Sequence, residues 1–234
     1  MRNLIYLLLP VLYLFVTGPA LAQGNYDLVL RTGVFTRSEN DFDLQPQEEE
    51  IVEDHFYRLV QFYHIPDART RGELEAQGWK FLRYFHHKAY LVSLPLGVTP
   101  AQLEAYAIRA AAPFRTDWKI HPQLLERPLG AWAAAEGGKV RINVIGQSDI
   151  KPEQGAELLR QQGYEPLFSY KHLAFYKIAV EPKDFAGVAA LPFVEFIELV
   201  PPPPVKDDDL ARALHRANQL DTDYGAGRKY DGTG

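Results

Sequence analysis

Short apolar runs alternate with helical stretches through the middle of the chain. Residues 57–64 mix β-branched and aromatic side chains and predict a strand. Residues 66–77 have helical character, and the helix stops at Gly78, a residue type suited to the left-handed conformation just past a helix end. Residues 79–85 and 88–94 are apolar and aromatic with a polar pair between them, and therefore predict a hairpin.

A second helix and a last strand complete this segment. Thr99 is placed to cap free N–H groups, Pro100 suits the first helical position, and Gln102 can close a capping box. A short strand is expected at residues 108–114. The resulting order, βαββαβ, is that of the split ferredoxin-like unit, which we expect as a four-stranded antiparallel sheet with two helices on one face.

The chain then repeats this pattern. Residues 74–79 (LEAQGW) match residues 159–164 (LRQQGY), and His87 and His172 share the same offset of 85 residues. Self-similarity at a fixed offset indicates duplication of one structural unit. The second copy has predicted strands at 140–144, 164–170, 173–180 and 193–200, and predicted helices at 152–162 and 182–190.

The predicted fold class is therefore α+β, with two tandem ferredoxin-like units. The first unit spans residues 56–127 and the second spans residues 138–200. Residues 131–138 (AWAAAEGG) have the composition of a short, flexible connection between them. Each unit can bury only a modest core by itself, so we expect the two to pack against each other.

Three further segments flank the units. Residues 23–55 form an N-terminal extension with an expected strand at 26–31 and an acidic stretch that ends in three glutamates. Residues 201–206 form a Pro-rich linker, which favours an extended spacer. Residues 207–234 begin with three aspartates, which suit the positive end of a helix dipole, and become polar and glycine-rich toward Gly234.

The N-terminus has the pattern of a secretory signal peptide. Arg2 supplies a positive charge, residues 4–16 are uncharged and apolar, and Ala20 and Ala22 give the small-residue motif that signal peptidase cleaves. A retained membrane anchor is the alternative, but the run is shorter than the ~20 apolar residues that a span requires. We therefore expect cleavage after residue 22 and a protein that is secreted or held at the cell surface.

Composition narrows the classes of function. The sequence contains no cysteine, which excludes disulfides, thiolate nucleophiles and cysteine metal sites. The formal net charge is −5, with acidic and basic residues interspersed, so neither nucleic acid nor an anionic membrane is an expected partner. No further run after the signal peptide is long enough to span a membrane.

Candidate catalytic and metal-binding residues do not form a recognisable pattern. The seven histidines lack the His-Glu-x-x-His spacing of a zinc site. There is no nucleophile elbow of the Gly-x-Ser-x-Gly type and no phosphate-binding glycine loop. We interpret the three aspartates at 207–209 as a helix cap rather than a cation site. The sequence thus predicts no catalytic residue, no cofactor and no bound metal within these 234 residues.

The C-terminal residues resemble a known family. Residues 214–218 (LHRAN), 221–224 (DTDY) and 230–234 (YDGTG) resemble the opening of the catalytic domain of subtilisin-like serine peptidases. Residues 56–124 look like the prosegment of large secreted bacterial members, and residues 191–198 (LPFVEFIE) are similar to the last strand of their propeptides.

The resemblance implies that the chain is the pre-pro region of an exported serine endopeptidase and ends before the catalytic aspartate. In that family the prosegment is an intramolecular chaperone and temporary inhibitor, so the implied partners are the downstream catalytic domain and, for the whole enzyme, peptide substrates. Because the second unit is nearer the junction, we expect it to dock on that domain. The expected tail and processing region comprises Val200, Pro204, Val205, Lys206, Asp207, Asp208 and Asp209.

The presence of two units where such propeptides have one leaves other interpretations open. The first unit could be a permanent accessory module, and the prosegment could remain attached. A different hypothesis is a non-enzymatic exported interaction protein that binds a partner through aromatic residues such as Trp79 or Trp132. A third hypothesis is a small exported enzyme whose site has no recognised motif.

Overall fold

The protein has a mixed α+β fold, which confirms the predicted class. The structure is a computed structural model that describes residues 26–30 and 33–204. These residues contain eleven β-strands and four α-helices, arranged around two larger sheets and one two-stranded sheet. The predicted signal peptide at 1–22 and the segment 205–234 lie outside the described residues.

The first larger sheet is preceded by three short strands, β1 (Leu28–Leu30), β2 (Gly33–Phe35) and β3 (Asp41–Phe42). The first unit follows, with β4 (His55–Phe62), α1 (Ala68–Ala76), β5 (Lys80–Phe85), β6 (Ala89–Pro95), α2 (Pro100–Ala105) and β7 (Ile108–Pro113). The strand order is β3-β7-β4-β6-β5, and only the β3–β7 pair is parallel within this sheet. The extension thus adds a fifth strand to the four of the first unit.

Local signals explain where the helices of the first unit begin and end. The side chain of Asp67 accepts a hydrogen bond from the N–H of Thr70 at 2.7 Å and caps α1. Gly78 follows α1 with a φ of +90°, a conformation that favours glycine. Thr99 and Gln102 form the predicted capping box at the start of α2, which confirms that prediction.

The second unit repeats this order of elements. Its strands are β8 (Val140–Gly146), β9 (Pro166–Ser169), β10 (Phe175–Val180) and β11 (Val194–Leu199), and its helices are α3 (Pro152–Gln161) and α4 (Phe185–Ala190). All pairs in this sheet are antiparallel, in the order β11-β8-β10-β9. Both units therefore place their fourth strand beside their first and their third strand beside their second.

The segment between the units, residues 114–139, is fixed against the second unit. It contains four short 3-10 helices, at Thr116–Lys119, Pro122–Leu124, Ala131–Ala133 and Glu136–Gly138. Leu124 and Ala133 are fully buried in the same cluster as the strands of the second sheet. The N–H of His121 donates to the carbonyl of Ile197 on β11 at 2.9 Å. The prediction of a short, flexible connection at 131–138 was wrong, since Ala133 is buried in this cluster and the indole of Trp132 donates to the carbonyl of Val200.

Polar contacts also join the two units. Asp149, in the turn after β8, accepts a hydrogen bond from Tyr57 at 3.1 Å and lies 3.4 Å from the ammonium of Lys80. Arg83 forms an ion pair with Glu195, whose side chain is almost fully buried. Burial raises the pKa of Glu195, and the Arg83 guanidinium opposes that rise. Tandem units joined in this way bury polar pairs as well as apolar surface.

Candidate docking surface and tail

The base of the expected tail is held against the second sheet. Val200 follows β11 directly and is 7% exposed. Its N–H donates to the carbonyl of Arg141 at 3.4 Å, and its carbonyl accepts a hydrogen bond from the indole Nε1 of Trp132 at 2.9 Å. The direction in which the chain leaves the sheet is therefore set by the segment between the units.

Beyond Val200 the chain leaves the sheet. Residues 201–204 are four prolines, and all four are exposed. Proline has no N–H group, so these residues cannot continue the hydrogen-bonded ladder of β11 as donors. Of the expected tail residues, the structure places Val200 and Pro204, whereas Val205, Lys206, Asp207, Asp208 and Asp209 lie outside the described residues.

The second sheet has one covered face and one open face. Along β8, Val140, Ile142 and Val144 belong to the buried cluster that includes residues of α3 and α4. Successive side chains of a strand point to opposite faces, so the residues between them face away from the helices. We call this helix-free surface of the second sheet the open face. It comprises Arg141, Asn143, Ile145, Phe168, Phe175, Lys177, Ala179, Phe196 and Glu198.

An apolar row crosses the open face near one end. Ile145 is the cross-strand partner of both Phe175 and Phe196, so the three side chains lie side by side on β10, β8 and β11. Tyr170 extends the row, because its ring lies 5.2 Å from that of Phe175 and 4.9 Å from that of Phe168. Within the described residues, no apolar side chain of the open face belongs to a buried hydrophobic cluster.

A polar row lies beside the apolar one. Lys177, Asn143 and Glu198 are cross-strand neighbours on β10, β8 and β11. The amide of Asn143 donates to the carboxylate of Glu198 at 3.3 Å. Asn143 at the centre of this row is 4% exposed, whereas Lys177 and Glu198 are half-buried, so the two outer residues form a partly solvated polar margin of the kind found at protein-binding surfaces.

The helix-free face of the first sheet is covered instead. Leu28 of β1 is fully buried against Leu59 and Ala89, which lie on that face. His86, at the tip of the β5–β6 hairpin, accepts a hydrogen bond from the N–H of Val29 at 2.7 Å and holds β1 in place. The second unit packs against the same face through Leu91, which lies in the cluster of the second sheet.

The described histidines and carboxylates do not assemble into a metal centre. No group of three or more histidine, aspartate or glutamate side chains suited to a metal ion occurs among the residues that the structure describes. His86 has the structural contact with Val29, and His121 packs edge-on against Phe196 at 6.0 Å between ring centres. His215 lies outside the described residues.

The two tryptophans considered as partner-binding residues have structural contacts. Trp79 is 2% exposed and lies in the core of the first unit, so its ring is not accessible to a partner. Trp132 is 38% exposed, lies over Gly130, and donates to the carbonyl of Val200. Gly130 has no room for a Cβ, because an added Cβ would lie 2.3 Å from the indole ring.

Sequence reasoning did not identify the open face. Its signal is the alternation of β10, in which Phe175, Lys177 and Ala179 are half-buried and the intervening residues are buried. This pattern is typical of a sheet that is covered on one side only.

Among the described residues no helix is both long enough and apolar enough to cross a membrane.

Comparison with known proteins gives one match. A family model described as a domain of unknown function (DUF8729) matches residues 29–115, which is less than half of the chain. The match begins within β1 and ends two residues after β7, so it covers the first unit together with the short strands that precede it. No curated protein and no solved structure matches the chain.

Proposed function

We propose that this chain is the pre-pro region of an exported subtilisin-like serine endopeptidase. Residues 1–22 direct export and are removed. Residues 23–206 form a prosegment that assists the folding of a downstream catalytic domain and inhibits it until processing. The chain itself supplies no catalytic residue in this account, and its partner is the domain that begins at residues 207–234.

The proposed finer fold is a tandem of ferredoxin-like units. Both units have the order βαββαβ. In each, the fourth strand of the unit lies beside its first strand and the third lies beside the second. The same arrangement at residues 55–113 and 140–199 supports this assignment. A small preformed sheet can act as a folding template, since large domains rich in non-local contacts fold slowly by themselves.

The open face is the observation that carries the proposal. It is an aromatic surface on the unit nearest the junction, and the tail leaves the same sheet directly after β11. Docking of this face on the downstream domain would bury the row formed by Ile145, Phe175 and Phe196. The first unit offers no equivalent surface, because β1 and the second unit cover it.

The tail is proposed to inhibit by strand addition. An extended peptide can pair with an exposed strand edge in a substrate cleft through backbone hydrogen bonds. The prolines at 201–204 provide a stiff spacer of ~3.1 Å per residue between the sheet and the processing region. Processing is proposed within Val200–Asp209, where Val205 and Lys206 precede the three aspartates.

N-terminal sequencing of the mature enzyme tests this proposal. The full encoded protein is expressed with its signal peptide, and the exported product is sequenced. A mature N-terminus between residues 201 and 210 supports the assignment, whereas a start upstream of Phe193 contradicts it. A variant without the catalytic serine of the downstream domain is the control, and it is expected to retain the prosegment.

A second candidate function uses the same open face. Its aromatic row would also suit an exported, non-enzymatic interaction protein with a separate protein partner. The encoded residues after Gly234 distinguish the two. An apolar strand ending in Asp-x-Gly, followed much later by His-Gly and Gly-Thr-Ser, supports the peptidase, whereas a stop codon supports the interaction protein.

A further inference from the structure

A small cavity lies where the two units meet. It has a volume of about 180 Å³ and is lined by residues of both units, including Tyr57, Lys119 and Gln147. Pockets for drug-sized ligands occupy roughly 300–1,000 Å³, so this cavity is sized for a smaller molecule. Of two buried polar side chains that line it, one has no ion-pair partner and the other has no side-chain hydrogen bond among the described residues.

Lys119 is the first of these side chains. It is 5% exposed and ends the 3-10 helix Thr116–Lys119. Its ammonium donates to the carbonyl of Leu191 at 3.1 Å, but no described carboxylate lies within 4 Å of it. Burial lowers the pKa of Lys119 to about 8, and the more distant Glu50 and Glu195 oppose that change. The ammonium is therefore charged at pH 7 and has two N–H donors to spare.

Gln147 is the second. Its residue is fully buried, and its backbone N–H donates to the carbonyl of Phe193 at 2.8 Å. Neither its side-chain oxygen nor its side-chain nitrogen has a hydrogen-bond partner among the described residues. A buried amide without partners is unusual, because desolvating it is costly unless the lost hydrogen bonds are replaced.

The other charged residues that line the cavity already have partners. Both carboxylate oxygens of Glu50 accept hydrogen bonds from Arg58, at 3.1 and 3.2 Å. Arg115 pairs with Asp117 at 2.9 Å. Lys119 is thus the one lining charge without an ion pair in the part of the chain that the structure describes.

We propose that this cavity binds a small carboxylate, of the size of formate or acetate, between Lys119 and Gln147. A carboxylate offers two acceptor oxygens, which match the free N–H groups of the ammonium and the amide. The ligand would lie between the end of the first sheet and the turn after β8. Its binding would therefore stabilise the packing of one unit on the other by mass action.

Thermal unfolding of the full chain at pH 7 tests the inference, with sodium acetate as the probe and sodium chloride at equal ionic strength as the reference. We expect acetate to raise the Tm by about 3–6 °C at ten times its Kd, and above Kd the rise should follow the logarithm of the acetate concentration. Formate should act similarly. A Tm that rises equally in acetate and chloride would overturn the inference, because the stabilisation would then be a general effect of salt and not binding of a carboxylate.

Substitutions separate the site from general salt effects. Lys119→Met and Gln147→Met should abolish the acetate response, whereas Lys151→Met, which alters an exposed lysine of the second unit, should keep it. Gln147→Glu places a carboxylate in the cavity itself, so we expect a higher Tm without acetate and no further response to it. A wild-type acetate response in Lys119→Met or in Gln147→Glu would contradict the proposed site.

Discussion

The two units share an order of elements but differ in what lies against the helix-free face of each sheet. In β4 of the first unit, every residue after His55 is buried, so both faces of that strand are covered. In β10 of the second unit, buried and half-buried residues alternate. One sheet is therefore an internal layer, and the other presents a surface.

The difference shows that two units with the same order of elements can present different surfaces, according to what packs against each sheet. The helix-free face of the first unit packs against β1 and against the second unit. Gln61 on that face donates to the carbonyl of Tyr26, and Arg109 lies over the Tyr26 ring at 4.3 Å. The second unit has no β-strand or α-helix across this face and carries the base of the tail, which is what the proposed docking unit requires.

The largest effect is expected from a charge on the covered face. Leu59→Asp should lower the free energy of unfolding by about 4 kcal/mol or more, because the carboxylate would be buried against Leu28 without a partner. Phe168→Asp, on the open face, should cost only about 1 kcal/mol, since Phe168 is 48% exposed. Urea unfolding of both variants measures the difference. Equal losses in the free energy of unfolding would show that the two faces are buried to the same extent.

The next largest effect concerns the cover itself. Leu28→Ala should lower the free energy of unfolding by about 2–4 kcal/mol, because a fully buried side chain is lost from the first sheet. Val29→Ala is the matched control on the same strand. Val29 is 63% exposed, so its substitution should cost about 0.5 kcal/mol or less. If both variants unfold at the same urea concentration as the wild type, β1 does not cover the first sheet.

The junction between the units should show a pH dependence. The pKa of Lys119 is about 8 in the folded protein, against 10.5 for the unfolded lysine. Between these values the unfolded chain binds more protons at this site, so the contribution of Lys119 to the free energy of unfolding, taken as the difference between the wild type and Lys119→Met, should rise by about 2–3 kcal/mol between pH 7.5 and 10. Urea unfolding in buffers free of small carboxylates measures this rise, and Lys119→Met should lack it. If the variant shows the same pH dependence as the wild type, Lys119 is not buried between the two units.

The smallest effect is expected at the base of the tail. Trp132→Phe removes the hydrogen bond to the carbonyl of Val200 and should cost about 1 kcal/mol. Amide exchange should then increase at Val200, whose N–H pairs with Arg141, and remain unchanged in the first unit. Unchanged exchange at Val200 would indicate that Trp132 does not fix the tail.

Local signals allowed much of the fold to be predicted from the sequence. Leu74 and Leu159, which the repeat aligns, are both fully buried on the helices of their units. Gly78 and Gly163, which the repeat also aligns, both have positive φ angles, +90° and +82°. These features depend on residues close in sequence, so their patterns are readable without the structure.

The face that a strand residue occupies was less predictable. The offset of 85 aligns Tyr90 with Phe175, yet Tyr90 lies in the helix-side core and Phe175 lies on the open face. Tyr176, one residue later, is the buried counterpart and donates to the carbonyl of Pro152 at 3.0 Å. A shift of one residue reverses the face of every side chain in a strand, so a sequence repeat does not fix the surface.

The cavity and the fixed connecting segment depend on contacts between residues far apart in sequence. Lys119 reaches Leu191, and Trp132 reaches Val200, across about 70 residues in each case. Neither contact leaves a periodic signal in the sequence, because each joins a short irregular segment to a residue far away along the chain. Only the packing of the second unit brings these residues together.

The most direct test of the central claim is inhibition of the mature peptidase by the separate prosegment chain and its variants. Phe196→Arg places a charge in the apolar row of the open face and should weaken inhibition about 100-fold. Tyr84→Arg alters an aromatic residue of the first sheet that is 51% exposed and should leave the inhibition constant unchanged. The opposite result, with Tyr84→Arg disabling inhibition and Phe196→Arg tolerated, would show that the second unit is not the docking unit.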